Sequence, residues 1–386
     1  MKESHEDGQV PMHVPLSRPW FDEEEPRAAA EVVRSGWLIS GPVVEEFERR
    51  FGSRLGGVEA VAVNSGSSAL LVALASLGVG LGDEVLVPDM TFVSTATAAM
   101  FLGARPVFVD INLQNYCLDP KDAERKITPR TKVIIPVHYA GHAADMDEII
   151  ELARRNGLRV LEDAAESHLA LYRGGAYTGT IGDVGIFSFT PSKPMTTGEG
   201  GMIVTPDPDL AARCRLLRNF GDTEKFRWEM LGFNFRMPEV MGAIGLAQLD
   251  KLDRAVTLRR AVAARYTEAL RDEEAVILPT LRTPDDGNYQ LYTIRLRLER
   301  LALDRDAVIR ALEARGVGAR LYYPPLHLQG VFARDGDRPR DDEFPNAMTF
   351  DRTALSLPIF PMLSAAEQEY VIAVLRDILR AHRRQP

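Results

Sequence analysis

Cysteine and lysine are scarce in this chain. The two cysteines, Cys117 and Cys214, stand far apart and outside any CxxC or His/Cys spacing, which argues against a disulfide framework and a sulfur-ligated zinc site. Both read as packing residues, and no metal is expected. No apolar run reaches the roughly 20 residues that span a bilayer, and the opening MKESHEDGQVPMH is too polar for a signal peptide. A membrane is therefore not an expected partner, and a cytoplasmic location is. The arginines are scattered under a net charge of -9, so there is no basic stripe for nucleic acid. There is no internal repeat, and 45% hydrophobic with 26% charged residues excludes extended disorder. Of 46 basic residues only seven are lysine, at 2, 121, 126, 132, 193, 225 and 251. Six sit in polar or boundary contexts. Lys193 instead follows the apolar run 184–189 and precedes a glycine-rich stretch, a setting that calls for a chemical reason.

What is present is an alternation. Short runs rich in Val and Ile, at 60–63, 84–87, 106–110, 132–138, 158–162, 184–189 and 202–205, read as seven strands, with helical patterns such as 68–77 and 145–156 between them. That order predicts an α/β fold with a mostly parallel seven-stranded sheet flanked by helices. A helical stretch, 238–270, leads into a different grammar, with a strand at 292–298 and helices at 304–315 and 365–380. The expected organisation is a loose tail over 1–14, a large domain over 15–264 and a smaller C-terminal α+β domain over 265–386. The stretch 333–346, dense in Asp, Arg and Pro, reads as a surface loop.

Candidate chemistry falls at strand ends. Asn64-Ser65-Gly66-Ser67-Ser68 closes a strand and opens a helix, a corner suited to an anion, although a plain Ser/Gly helix cap explains it equally well. Phe92 follows the next strand, where ligands of open α/β sheets bind; it could stack on a ring or pack in the core. Asp163 ends another strand in an apolar setting that penalises an unpaired carboxylate, so a cation is expected to meet it. A protonated pyridine nitrogen would serve, and a helix-cap Asp is the plainer alternative. Ser188 could reach a phosphate. Lys193 could form an imine, with glycines 198, 200 and 201 allowing close approach to a flat ring. Each of these signals has a bland reading by itself, and their joint order is what carries weight.

Taken together the motifs resemble the fold-type-I sugar aminotransferases of the DegT/DnrJ/StrS family, from Val14 to Leu379. The matching pieces are Gly36-Trp-Leu-Ile-Ser-Gly41-Pro42, Asn64-Ser-Gly-Ser-Ser-Ala-Leu70, Pro136-Val-His-Tyr-Ala-Gly141, Glu162-Asp-Ala-Ala-Glu166, Phe187-Ser-Phe with Lys193 and Gly198-Glu-Gly-Gly201, Gly232-Phe-Asn234-Phe-Arg236-Met-Pro, and Tyr323-Pro-Pro-Leu-His327. The resemblance implies pyridoxal 5′-phosphate (PLP, cycling with its pyridoxamine form) as cofactor. It implies Lys193 as covalent anchor and general base, Asp163 as partner of the ring nitrogen, and Phe92 as the stacking ring. Gly66, Ser67 and Ser188 match phosphate contacts. Asn234 matches an asparagine that reaches the phosphate of a second subunit, implying a homodimer with shared sites. Glu166 lies where Gln or His is common, near the cofactor ring oxygen; His142 stands where Gln is frequent, and Ser167 where Ala is.

By the same resemblance the donor is L-glutamate and the acceptor a nucleotide-linked keto sugar, in the making of a natural product or surface glycan. Pro194-Met-Thr-Thr-Gly-Glu-Gly-Gly201 and Glu166 look like members acting at C4 of a 4-keto-6-deoxyhexose. Arg236 and Arg320, with Arg218 and Arg227, are candidate forked donors for a sugar diphosphate, and Tyr322, Tyr323 and His327 are candidate substrate contacts. Three alternatives stay open: a C3-keto sugar, a cyclitol ketone, and a non-catalytic PLP-binding regulator. Members with His at the lysine position dehydrate sugars, and Lys193 speaks against that chemistry.

Overall fold

The computed structural model describes residues 12–280, 286–333 and 339–384. Seven strands form the central sheet: β1 (Glu59–Val63), β2 (Glu84–Pro88), β3 (Arg105–Val109), β4 (Thr131–Ile134), β5 (Arg159–Asp163), β6 (Val184–Ser188) and β7 (Gly201–Thr205), in the spatial order β1-β7-β6-β5-β4-β2-β3. Runs such as Glu-Val-Leu-Val-Pro and Val-Gly-Ile-Phe-Ser are buried along their whole length, as strands covered on both faces must be. Only β7 runs against its neighbours, pairing antiparallel with β1 and β6. The carboxyl ends of β1, β2, β5 and β6 therefore share one edge. Because β6 returns directly into antiparallel β7, residues 189–200 stay at that edge instead of crossing a face in a helix. The expected strand 132–138 is shorter, since Pro136 lacks a donor for the ladder; Val137 still bridges Asp163.

Helices α1 (Glu24–Ser35), α2 (Pro42–Arg54), α3 (Gly66–Ser76), α4 (Ser94–Phe101) and α5 (Pro208–Arg218) surround the sheet. Helix α6 (Glu239–Leu270) then continues through the expected boundary at 264/265: Leu249, Leu252 and Val256 join a core against the large sheet, while Val262, Tyr266 and Leu270 join a second core. That second core packs on a three-stranded antiparallel sheet of β8 (Val276–Ile277), β9 (Tyr292–Leu296) and β10 (Ala354–Leu357), with α7 (Arg305–Glu313) and α8 (Ala365–Ala381) against it. Among the described residues no helix is long and apolar enough to cross a membrane.

Two expectations need correction. Of the loose tail, residues 1–11 lie outside the described residues, but Val14 is fully buried in the second core and bridges Val317. Of the surface loop, residues 334–338 lie outside the described residues, and its end is ordered: Asp341–Glu343 form a turn of helix and Phe344 is buried. Cys117 and Cys214 are buried free thiols, in keeping with their reading as packing residues.

Candidate active site

A cavity of about 380 Å³ opens at the carboxyl edge of the sheet, within the roughly 300–1,000 Å³ of small-molecule sites. It is lined by Gly66, Ser67, Phe92, Asp163, Glu166, Ser188 and Lys193, with Tyr322 and Tyr323. Residues up to 257 apart in sequence converge because four strands end on one side.

The phosphate corner forms where β1 turns into α3. Ser65 caps the helix, its hydroxyl accepting from the Ser68 N–H at 3.1 Å, which leaves the first amides of α3 facing the cavity. Gly66 is required by close approach, since a Cβ there would lie 2.9 Å from the Ser188 Cβ. The Ser67 hydroxyl meets that of Ser94 at 2.6 Å.

Asp163, at the end of β5, is 5% exposed. Its Oδ2 accepts from the Thr95 hydroxyl at 2.9 Å and its Oδ1 from the Ala165 N–H at 3.1 Å. Burial pushes the carboxyl above the usual range despite these two bonds. No cation bonds it among the described residues, because the Lys193 ammonium goes to Glu166 instead, at 3.1 Å. A buried carboxylate that lines the cavity and is bonded only by uncharged donors is the partner that a protonated pyridine nitrogen needs.

Glu166 is held on both oxygens: Oε1 accepts from Lys193 and from the Tyr323 hydroxyl at 2.9 Å, and Oε2 from the Ala140 N–H at 2.8 Å. Burial, reinforced by the Glu166 charge, raises the Tyr323 phenol well above its ordinary pKa, so it serves as a donor. Phe92 is half-exposed at the mouth, its ring 5.7 Å from that of Tyr323. The lysine of the sequence signature is not singled out by burial alone. Lys126 and Lys251 are nearly as covered, but neither lines the cavity: each is paired elsewhere, with Asp122 for one and with Asp22 and Glu25 for the other.

Other candidates fall elsewhere. His327 is buried and does not line the cavity: its Nδ1 lies 2.6 Å from Asp89 Oδ2 and its ring stacks on Phe344 at 4.6 Å. Its expected substrate contact is replaced by a packing role. Arg218 is likewise spent inside the fold, on Glu48 and on the Ala62 carbonyl at 2.7 Å. Arg227 is exposed on the hairpin formed by Asp222–Glu224 and Arg227–Trp228, paired with Glu229. Arg236 is tied to Asn219 and lies over Phe220 at 4.8 Å, and Asn234 is exposed; neither lines the cavity of its own chain. Arg320 is exposed beside Tyr322, opposing the rise that burial gives that phenol. His142 is buried and pushed down to about 4, hence neutral, with no contact to the cavity; Ser167 is buried and bonded to Thr178. Thr95 and the Ala140 N–H were not foreseen. Thr95 stands one helical turn after Thr91, and that spacing after the Pro-Asp-Met-Thr-Phe segment was the one available signal.

A buried carboxylate bonded only by uncharged donors, an anion corner and a largely covered lysine at one sheet edge define a PLP-dependent aminotransferase of fold type I. Comparison with known proteins agrees: residues 19–376 match the DegT/DnrJ/EryC1/StrS aminotransferase family, and the chain belongs to it. It is 40% identical to the GDP-perosamine synthase of Caulobacter vibrioides over 95% of this chain and 98% of that one. It is 41% identical to the dTDP-3-amino-3,4,6-trideoxy-alpha-D-glucose transaminase of Streptomyces venezuelae, over 92% of each. Among solved structures it resembles S. venezuelae DesV in complex with a ketimine intermediate, with a TM-score of 0.88 and 39% identity over 95% of this chain and 98% of that one. It also resembles the PLP form of a sugar aminotransferase of Streptococcus pneumoniae, with a TM-score of 0.90 and 27% identity over 96% and 99%.

Proposed function

We propose that this aminotransferase moves the amino group of L-glutamate to C4 of a nucleotide-linked 4-keto-6-deoxyhexose, as a homodimer with shared sites. The observation that carries the transamination reading is a largely covered lysine, held on Glu166, in the same cavity as Asp163, a buried carboxylate with no cation bonded to it among the described residues. When bound, PLP supplies the electron sink that stabilises negative charge on the reacting carbon. Asp163 would hold its ring nitrogen, Phe92 its face, and the α3 amides with Ser67 and Ser188 its phosphate. Lys193 would anchor it and, as a free amine, would carry a proton off the donor carbon and later onto the acceptor carbon. Glu166, fixed by Tyr323 and Ala140, keeps that amine within reach.

A nucleotide sugar is supported by the names of the relatives, two of which carry such sugars. Their 40% and 41% identities do not choose between positions on the ring; the choice of C4 rests on Glu166 and on Pro194–Gly201. Arg320 and Tyr322 at the mouth are the proposed contacts to the acceptor. The dimer is supported by apolar surface around the phosphate corner. A second cavity of about 430 Å³ shares Ser67 and Ser94 with the first and is walled by Phe101, Phe233 and Phe235, while Trp37, Leu38, Phe220 and Trp228 are exposed. An approaching partner would cover these rings and bring its own Asn234 to the phosphate, with Arg236 beside it.

The test is turnover of thymidine-, uridine- and guanosine-diphosphate 4-keto-6-deoxyhexoses beside a 3-keto isomer and scyllo-inosose, with the new amine located by NMR. Exclusive use of the 3-keto sugar or the cyclitol would overturn the C4 assignment. Failure of glutamate to convert the bound cofactor to its amino form would point to the regulator.

A further inference from the structure

We infer that Gln290, backed by Asn288, is a positioning residue that fixes the backbone carrying Lys193 against the backbone carrying Glu166. The segment Gly287–Leu291 enters the active-site side of the molecule just before β9, and it ties together three turns that no strand connects. Asn288 donates from Nδ2 to the Glu166 carbonyl at 3.0 Å and to the His168 carbonyl at 2.9 Å. Its own N–H reaches the Gly141 carbonyl at 3.2 Å, beside the Ala140 amide that holds Glu166 Oε2. Gln290 donates from Nε2 to the Ser192 carbonyl at 2.7 Å, one residue before the lysine. Asn288 Oδ1 accepts the Gln290 N–H at 2.9 Å, so the two side chains act as one clasp.

The clasp is held at an energetic cost that packing alone does not require. Gln290 is 4% exposed, and its Oε1 has no hydrogen-bond partner among the described residues. An unsatisfied buried acceptor is destabilising, and a methionine of similar shape would avoid that. Beneath it, Arg259 is 2% exposed with no carboxylate partner among the described residues. Its Nη1 donates to the Tyr289, Gln290 and Ile359 carbonyls at 3.4, 3.3 and 3.2 Å, and burial pushes its pKa down to about 10. The opposing wall has also given way to the clasp. Gly141 has φ +83°, and a Cβ there would lie 1.8 Å from Asn288 Oδ1. Three separate concessions meet at the point where the lysine turn and the acid turn must keep one spacing. A shift of about 1 Å at such a contact costs about a hundredfold in rate.

This inference rests on Lys193 being the reacting amine. The experiment compares the PLP-loaded wild type with Gln290→Met, which keeps the shape and removes the donor. The expected variant folds and binds the cofactor with a thermal midpoint within about 2 °C of wild type or above it. Its kcat falls about ten- to a hundredfold with KM for glutamate little changed, and the pH midpoint of the bound cofactor's absorption moves by more than about half a unit. A variant with wild-type kcat and wild-type absorption titration, whatever its stability, overturns the role. Should Gln290→Met fail to fold, Gln290→Asn, whose amide falls one carbon short of Ser192, is read by the same quantities. Borohydride reduction of the wild type separates the two claims. Label on a lysine other than 193 removes the premise, whereas label on Lys193 with unchanged Gln290→Met values removes the clasp alone.

Discussion

Lys193 is largely covered, and its amine lies 3.1 Å from Glu166 Oε1. Lys193→Ala is expected to fold, because Glu166 keeps the Tyr323 and Ala140 donors. It should lose both half-reactions, since among the described residues no other lysine lines the cavity. Single-turnover absorbance with glutamate checks this, and any conversion above the uncatalysed rate would refute it. Asp163 supports a second prediction, whose sign follows from its raised pKa. In the cofactor-free protein the folded state holds the proton more tightly than the unfolded chain does. That contribution is fully present below the ordinary carboxylate value and lost as pH rises through the raised one. Cofactor-free Asp163→Asn should therefore match or exceed the wild type in thermal midpoint at pH 7 and above, while activity with PLP falls about a hundredfold, the order of a lost charged partner worth about 3 kcal/mol. A destabilised but active variant would contradict both halves.

At the scale of elements, the Gly36–Pro42 motif was legible as a signature and opaque as a structure. Its Gly41 amide and the Val43 and Val44 amides that follow it are the open end of α2, and they are satisfied by Glu239 at the start of α6, at 2.8, 2.9 and 2.9 Å. A cap supplied from about 200 residues away leaves no local trace in sequence. The strand pairing of Asn219 with Asn234 likewise directs Asn234 outward. The third prediction concerns that outward residue. Lys193→Ala and Asn234→Ala subunits, each inactive alone, should regain activity on mixing, up to about a quarter of wild type if one site in each mixed dimer is intact and pairing is random. No recovery after verified subunit exchange, or full activity in a verified monomer, would rule out shared sites.

At the scale of the whole molecule, a turn 238 residues further along the chain is locked to the residue that follows β2 through a buried pair. His327 and Asp89 are both fully buried and 2.6 Å apart, with a further bond from the His327 N–H to Asp89 Oδ1 at 2.9 Å. Burial by itself pushes the imidazole down, and Asp89, together with Asp341 at 3.4 Å from Nε2, outweighs it, so the folded pKa lies above the ordinary value. The stability this provides is present below about pH 6.5 and lost as pH rises through the raised folded value. The fourth prediction is that the thermal midpoint of the wild type declines over that window, and that His327→Gln flattens the decline while losing about 3–5 kcal/mol at pH 6, as expected when one member of a buried pair is removed. Parallel pH profiles for the two proteins would refute it.

By itself the sequence determined the alternation of seven buried strands with helices, the chemistry-bearing residues at strand ends, and the lysine set apart from the other six. These are local properties: hydrophobic period, strand-end position, and residue type within a few neighbours. Only the tertiary structure decided which of those residues meet. It brought Asp163, Ser188 and Lys193 to one cavity because β7 alone runs backwards. It withdrew His327 and Arg218 into packing, turned Tyr323 from the expected substrate toward Glu166, and supplied Thr95, Asn288 and Gln290 from segments with no signal of their own. The reason is physical. A side chain's task at an active site depends on what faces it across several ångströms of space, and partners separated by 27 to 238 residues are chosen by how strands order and cores close, not by any pattern within reach along the chain.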